Sequence, residues 1–219
     1  MTKQRQNEYS EIMSPRAREF KIETVVDAAL DLFWRKGYKS CSMADIVKKS
    51  GVARYGLYQA FKDKDQLYCA ALRHYHKKIR SLFILPFCCK DKKADLESLE
   101  QHFDIMLEQL ERGIHDGCFA HQAAIEQASK NEDVNEIVND IFDEAKKAYR
   151  TIIENGIELG QIRDLPVDDL VTYVMGIQRA VIAMSKQNCS MNERKKYVSC
   201  ALMLLRTETP NPTEHSNAY

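Results

Sequence analysis

Apolar residues along this chain recur at helical spacing and almost nowhere at the spacing of a strand. From Ile22 they run Ile22, Val25, Val26, Ala29, Leu30, Phe33 and Trp34, spaced three and one in alternation, which places them on one stripe of an α-helix. Gly37 is the expected stop, and Arg35 and Lys36 fall in the last turn, where cations suit the helix dipole. Ser42 followed by Asp45 reads as a capping box for a short helix over 43–50, which Gly51 ends. A second short helix is predicted at about 54–60. A longer one opens at Asp63, Lys64 and Asp65, carries Leu67, Ala70, Ala71, Tyr75, Ile79, Leu82 and Phe83 on one face, and closes at Pro86.

The remainder predicts helices at roughly 92–112, 118–129, 132–159, 167–187 and 191–206. Pro166 with Asp168 and Asp169 marks one start, and Ser190 with Glu193 forms a second capping-box pattern. No segment of any length alternates with period two, and no internal repeat is found. The expected fold is therefore all-α, about nine helices: an N-terminal three-helix head and a C-terminal helical body. Residues 1–20 lack apolar periodicity and read as a mobile basic arm. The head is expected over 21–66, the body over 67–206, and a disordered tail over 207–219, with its two prolines and few hydrophobes.

Composition narrows the class. With 44% hydrophobic and 29% charged residues among 219, the chain can bury a core and stay in solution. No stretch approaches the ~18 continuous apolar residues of a membrane helix, and the N-terminus has no signal-peptide core, so the expectation is a cytoplasmic protein with no membrane partner. Seven cysteines, an odd number without a C-x-x-C, fit small core residues better than a disulfide framework. The formal charge is zero, yet residues 1–80 carry 17 Lys and Arg against 9 Asp and Glu, and residues 81–219 carry 15 against 23. A basic first part suits a phosphate-bearing partner.

The chemistry concentrates in Ser42–Leu67. Two short helices joined by a glycine turn cannot be stable alone. Ile46, Val47, Val52, Leu57 and Phe61 supply their inner face, which leaves Arg54, Tyr55, Tyr58 and Gln59 outward on the second helix, long enough to reach base edges and phosphates.

Here the run resembles the TetR family signature, with Gly51, Val52, Leu57, Tyr58, Phe61, Lys64 and Leu67 at the family spacing; Phe20–Tyr38 is similar to the family's first helix. Two positions depart from it. Ala53 stands where a Ser cap is usual, and Tyr55 where a Gly is common, with Gly56 one place later. The resemblance implies a ligand-responsive homodimer that binds a double-stranded DNA operator, usually as a repressor, and uses no cofactor. It implies Ser42 as helix cap and phosphate contact, and Tyr58 and Lys64 as phosphate contacts. Arg54 and Tyr55 are the expected base readers, because arginine is the commonest specific partner of guanine; Gln59 lies beside them.

For the body, the resemblance implies a cavity for a small-molecule effector and a four-helix dimer interface. Phe103, Met106 and Leu110 share one face, and Phe119, Phe142, Tyr149, Tyr173 and Gln178 on other helices are the expected convergent partners. Val174, Ile177, Val181, Val198, Leu202 and Leu205 form two stripes that suit the interface, or else a single protomer core. His115, Cys118 and His121 are spaced by three, near a metal-ligand pattern, so a metal or thiol sensor using Cys118 stands as one alternative. A helical protein-binding adaptor is another, though it leaves the basic half unexplained. No nucleophile elbow, glycine-rich phosphate loop or H-E-x-x-H supports an enzyme.

Overall fold

The computed structural model describes residues 15–81, 94–113, 117–187 and 189–207, with side chains from residue 22 onward. Among these are nine α-helices: α1 Pro15–Ser40, α2 Met43–Ser50, α3 Arg54–Ala60, α4 Lys64–Ile79, α5 Leu96–Glu111, α6 Phe119–Ala123, α7 Glu132–Glu158, α8 Val167–Lys186 and α9 Met191–Met203. A π-helical turn, Ala124–Ala128, extends α6. No strand occurs among the described residues, only an isolated bridge between Ile162 and Arg206.

Two boundaries differ from the sequence reading. The expected arm over 1–20 is shortened, because α1 begins at Pro15, whose missing N–H costs nothing in a first turn. Residues 1–14, Leu82, Phe83 and Pro86 lie outside the described residues. At Gly37 the first helical run stops as expected, with a φ of 78° and ψ of 165° that are open to glycine and not helical, and one further turn follows to Ser40 within the span of α1. At the other end α9 stops at Met203, and Thr207, expected in the tail, donates its N–H to Gln161 O at 3.1 Å.

Contacts divide the chain into two compact units, and the division does not fall at residue 66. The first joins the chain up to Lys78 with Cys118–Ile141; the second joins Ile79–Gly117 with the chain from Phe142. In the first unit, Val25, Val26, Ala29, Leu30 and Phe33 of α1 are buried as their spacing predicts, whereas Ile22 is 44% exposed. An aromatic cluster ties α1, α4 and α6 together. Phe33 meets Tyr68 edge-on at 4.9 Å, Trp34 meets Tyr75 at 5.0 Å, and Phe119 packs on Tyr68 at 5.4 Å and Tyr75 at 5.8 Å. Such edge-to-face pairs add about 0.5–1.5 kcal/mol each beyond their burial. Outside this cluster, Asp27 of α1 accepts from His74 Nε2 at 2.8 Å and Lys78 Nζ at 2.6 Å on α4.

The second unit packs α5, the C-terminal half of α7, α8 and α9 around one core. Leu99, Phe103, Leu107, Ile152, Ile153, Val174 and Leu202 lie at its centre. The start of α9 matches the sequence reading, since Ser190 and Glu193 form a reciprocal capping box.

Candidate nucleic-acid interface

The two short helices near the N-terminus keep their places through local chemistry. Ser42 caps α2: its Oγ accepts from Asp45 N at 3.1 Å, and the Asp45 carboxylate accepts from Ser42 N at 2.9 Å and Oγ at 2.8 Å. These bonds hold the Asp45 carboxyl below the usual carboxylate range. Gly51 closes α2 in the left-handed conformation (φ 68°) and donates its N–H to Val47 O at 3.0 Å. The chain then turns into α3 without a side-chain cap, since Ala53 has no oxygen to offer. Ile46, Leu57 and Phe61 are buried beneath both helices; Val47 and Val52 are half-buried.

With Leu57 buried, one side of α3 faces outward. Arg54, Tyr55, Tyr58 and Gln59 are all exposed, Tyr55 by 76% and Tyr58 by 42%. They also organise one another. The Arg54 guanidinium lies 5.6 Å from the Tyr58 ring centroid, and Gln59 Nε2 donates to Tyr55 Oη at 2.7 Å. Tyr55 Oη keeps its own proton and Gln59 Oε1 its lone pairs for another molecule. Lys64, at the start of α4, sits half-buried with Nζ 4.1 Å from the centroid of the Tyr38 ring. Tyr38 in turn donates its hydroxyl to Asp65. Sequence reasoning passed over Tyr38 as a functional residue; its only signal was an aromatic directly behind the Gly37 stop. Ser42 spends its hydroxyl proton on Asp45, so its geometry serves the cap.

The pocket and dimer residues sort differently from the expectation. Phe103 and Tyr149 are buried in the core of the second unit, and Met106, Leu110 and Phe142 pack against it. Tyr149 Oη lies 3.1 Å from Gln178 Oε1 and 2.8 Å from His102 Nε2. His102, which sequence reasoning missed, completes a polar trio inside an apolar core, and burial pulls its pKa down to about 4. Two expected members do not join. Phe119 belongs to the aromatic cluster of the first unit, and Tyr173 is 36% exposed with its hydroxyl donating to Ala201 O at 3.1 Å. The six residues assigned to a dimer interface, Val174, Ile177, Val181, Val198, Leu202 and Leu205, are buried within the protomer. The outward side of the same helices carries Tyr173, Gly176, Ala180 and Ala183 on α8, and Tyr197, Cys200, Met203 and Leu204 on and just after α9.

Cys118 stands at the N-terminus of α6 without a side-chain cap bond, its Sγ 3.1 Å from Tyr75 Oη; burial pushes the thiol up, against bonds from Tyr75 and the backbone of His121 and Ala120 that pull it down. His115 lies outside the described residues, and among the described residues no three potential ligands gather for a metal. No helix among them is long and apolar enough to cross a membrane.

Comparison with known proteins agrees with this arrangement. Residues 25–71 match the model of bacterial regulatory proteins of the tetR family, and residues 96–196 match the tetracyclin repressor-like C-terminal domain. The HTH-type transcriptional repressor ComR of Escherichia coli (strain K12) is 30% identical over 80 residues, 36% of this chain but only 38% of ComR. An uncharacterized HTH-type transcriptional regulator of Bacillus subtilis (strain 168), YfiR, is 25% identical over 73% of this chain and 78% of its own length. The crystal structure of a TetR transcriptional regulator from Chloroflexus aurantiacus shares the fold, with a TM-score of 0.75 and 24% identity over 86% of this chain and 95% of that one. With both halves matched and a DNA-binding helix-turn-helix in the first, the chain belongs to the TetR family of transcription regulators.

Proposed function

We propose that the chain is a homodimeric repressor that reads a near-palindromic operator with α3 and lets go when a small molecule enters the core of its second unit. The observation that carries the DNA reading is the exposed set Arg54, Tyr55, Tyr58 and Gln59 on α3, which leaves Leu57 as the buried residue of that helix. Arg54 and Tyr55 reach base edges, Gln59 steadies Tyr55, and Tyr58 and Lys64 bind phosphates. Ser42 acts as the cap of α2. A two-fold pair would set its two α3 helices in successive major grooves, on the order of 34–36 Å apart.

For the effector, the supporting feature is the trio His102, Tyr149 and Gln178; Tyr149 and Phe103 belong to the core of the second unit, against which Met106, Leu110 and Phe142 pack. A neutral imidazole, a phenol and an amide in an apolar surround suit an uncharged ligand with an apolar body and one or two hydrogen-bonding groups. Its entry repacks the second unit, and α7 continues from there into the first. By linkage, DNA and effector then weaken each other by one common factor.

Selection from a random double-stranded pool, followed by fluorescence anisotropy on the enriched sequences, tests the proposal. A palindromic consensus is expected. Arg54→Ala is expected to lose about tenfold to a hundredfold of the discrimination between consensus and mismatched sites, the worth of one bidentate arginine–guanine pair. Lys64→Ala should instead weaken all duplexes alike and lower the salt slope. Binding that enriches no sequence would sink the operator reading.

A further inference from the structure

The kink in α1 leaves a backbone N–H to be satisfied. In an unbroken helix Tyr38 N–H would point to the Trp34 carbonyl, but Gly37 is off helical values and the N–H goes elsewhere. It donates to Glu126 Oε2 at 2.8 Å, across 88 residues of chain. Glu126 sits in the middle of the π-helical turn, where the wider backbone re-aims side chains, and Gln122 supports it by donating from Nε2 to Glu126 Oε1 at 3.1 Å. The same Gln122 Nε2 also donates to Phe33 O at 3.3 Å, so two side chains of this segment clamp two backbone groups of α1. The fit is close: a Cβ on Gly37 would lie 2.9 Å from Glu126 Oε1.

What the clamp holds is the mount for Lys64. Tyr38 carries the Lys64 ammonium above its ring, donates a hydrogen bond from its hydroxyl to Asp65, stacks on Phe33 at 6.1 Å and meets Tyr68 edge-on at 5.1 Å. The cation–π contact spares the lysine the search through its own rotamers before it meets a phosphate.

We propose that Glu126 is a positioning residue for DNA binding: by accepting the Tyr38 N–H it fixes the ring on which Lys64 rests. This builds on the reading of Lys64 as a phosphate contact. The effect is expected to run against simple electrostatics, since removing a carboxylate from a DNA-binding unit ordinarily strengthens its hold on phosphate.

The experiment compares Glu126→Asp, which keeps the charge but shortens the reach, with Glu126→Gln, which loses the charge but keeps an acceptor. Each is measured by anisotropy on a random-sequence duplex through a salt series, alone and combined with Lys64→Ala. Glu126→Asp is expected to weaken binding roughly fivefold and lower the salt slope by up to about 0.9, one phosphate contact. Glu126→Gln should bind as the parent does. In the Lys64→Ala background, Glu126→Asp should have no further effect. Tighter binding by Glu126→Gln with parent-like Glu126→Asp would overturn the inference, as would equal losses from Glu126→Asp in both backgrounds. An unchanged slope in Lys64→Ala alone would remove the Lys64 reading itself. A thermal melt of each variant separates these results from loss of folding, and Glu126→Gln remains informative if Glu126→Asp does not fold.

Discussion

Arginine in place of Ala180 is expected to leave the chain monomeric and to cost about a hundredfold or more in affinity for a full operator. The reason lies on the outward side of α8 and α9. Gly176 sits in the middle of α8, where glycine costs about 1 kcal/mol against alanine, yet a Cβ there would meet no atom within 4 Å. Nothing in the protomer requires the glycine; a second helix packed closely against this face would. Ala180 and Ala183 continue the small surface, and Tyr173, Tyr197, Met203 and Leu204 border it with exposures of 36%, 38%, 61% and 57%. An arginine at 180 drives a long charged chain into such a contact. A monomer then holds one half-site and loses the gain of linked binding, about 10²–10⁴-fold. Sedimentation velocity and operator titration at fixed salt check both parts. A dimer with parent-like affinity would show that this face is not the interface.

The six residues first assigned to that interface are buried inside the protomer for an instructive reason. Helical spacing identifies a stripe, and α8 has an apolar stripe on each side: Val174, Ile177 and Val181 inward, Tyr173, Gly176 and Ala180 outward. Period alone ranked the larger aliphatic residues first, and those are the ones a protomer buries. The head was more legible, because its determinants are local. Ser42 with Asp45, the left-handed Gly51 and the single buried Leu57 among the exposed residues of α3 all act within a few residues. What stayed hidden is contact between distant segments. Nothing near Tyr38 or Glu126 in the sequence links them, yet the Tyr38 N–H donates to the Glu126 carboxylate across 88 residues. Phe119 is expected among the pocket residues, yet α6 packs with α1 and α4. His102, between a polar neighbour and Phe103, gives no sign that Tyr149 and Gln178 reach it from two other helices.

That trio carries the second large expectation: the second unit should lose about 3 kcal/mol of stability as pH falls from 6.5 towards 4. The buried His102 imidazole has its pKa pulled from 6.5 to about 4 by desolvation of the charged form. An unfolded chain, with the ring in water, takes up the proton first. Between the two values the unfolded state therefore holds more protons than the folded one, and unfolding becomes easier as pH drops. The contribution is complete above 6.5, is lost down to about 4, and changes no further below that. The interval is worth about 3 kcal/mol at roughly 1.4 kcal/mol per pH unit, a large part of the 5–15 kcal/mol that typically holds a domain together. Carboxylates such as Asp95, which burial raises but bonds from Gln161 and Ser98 hold below the usual range, titrate further down and act in the same direction. His102→Gln isolates the histidine, since it removes the proton and keeps a group able to bond Tyr149 Oη. Urea midpoints across this pH range should slope for the parent and flatten for His102→Gln. Parallel slopes would mean that the imidazole is hydrated in solution. The effector would then meet a cation below neutrality, and the expectation of an uncharged ligand would fall with the buried trio.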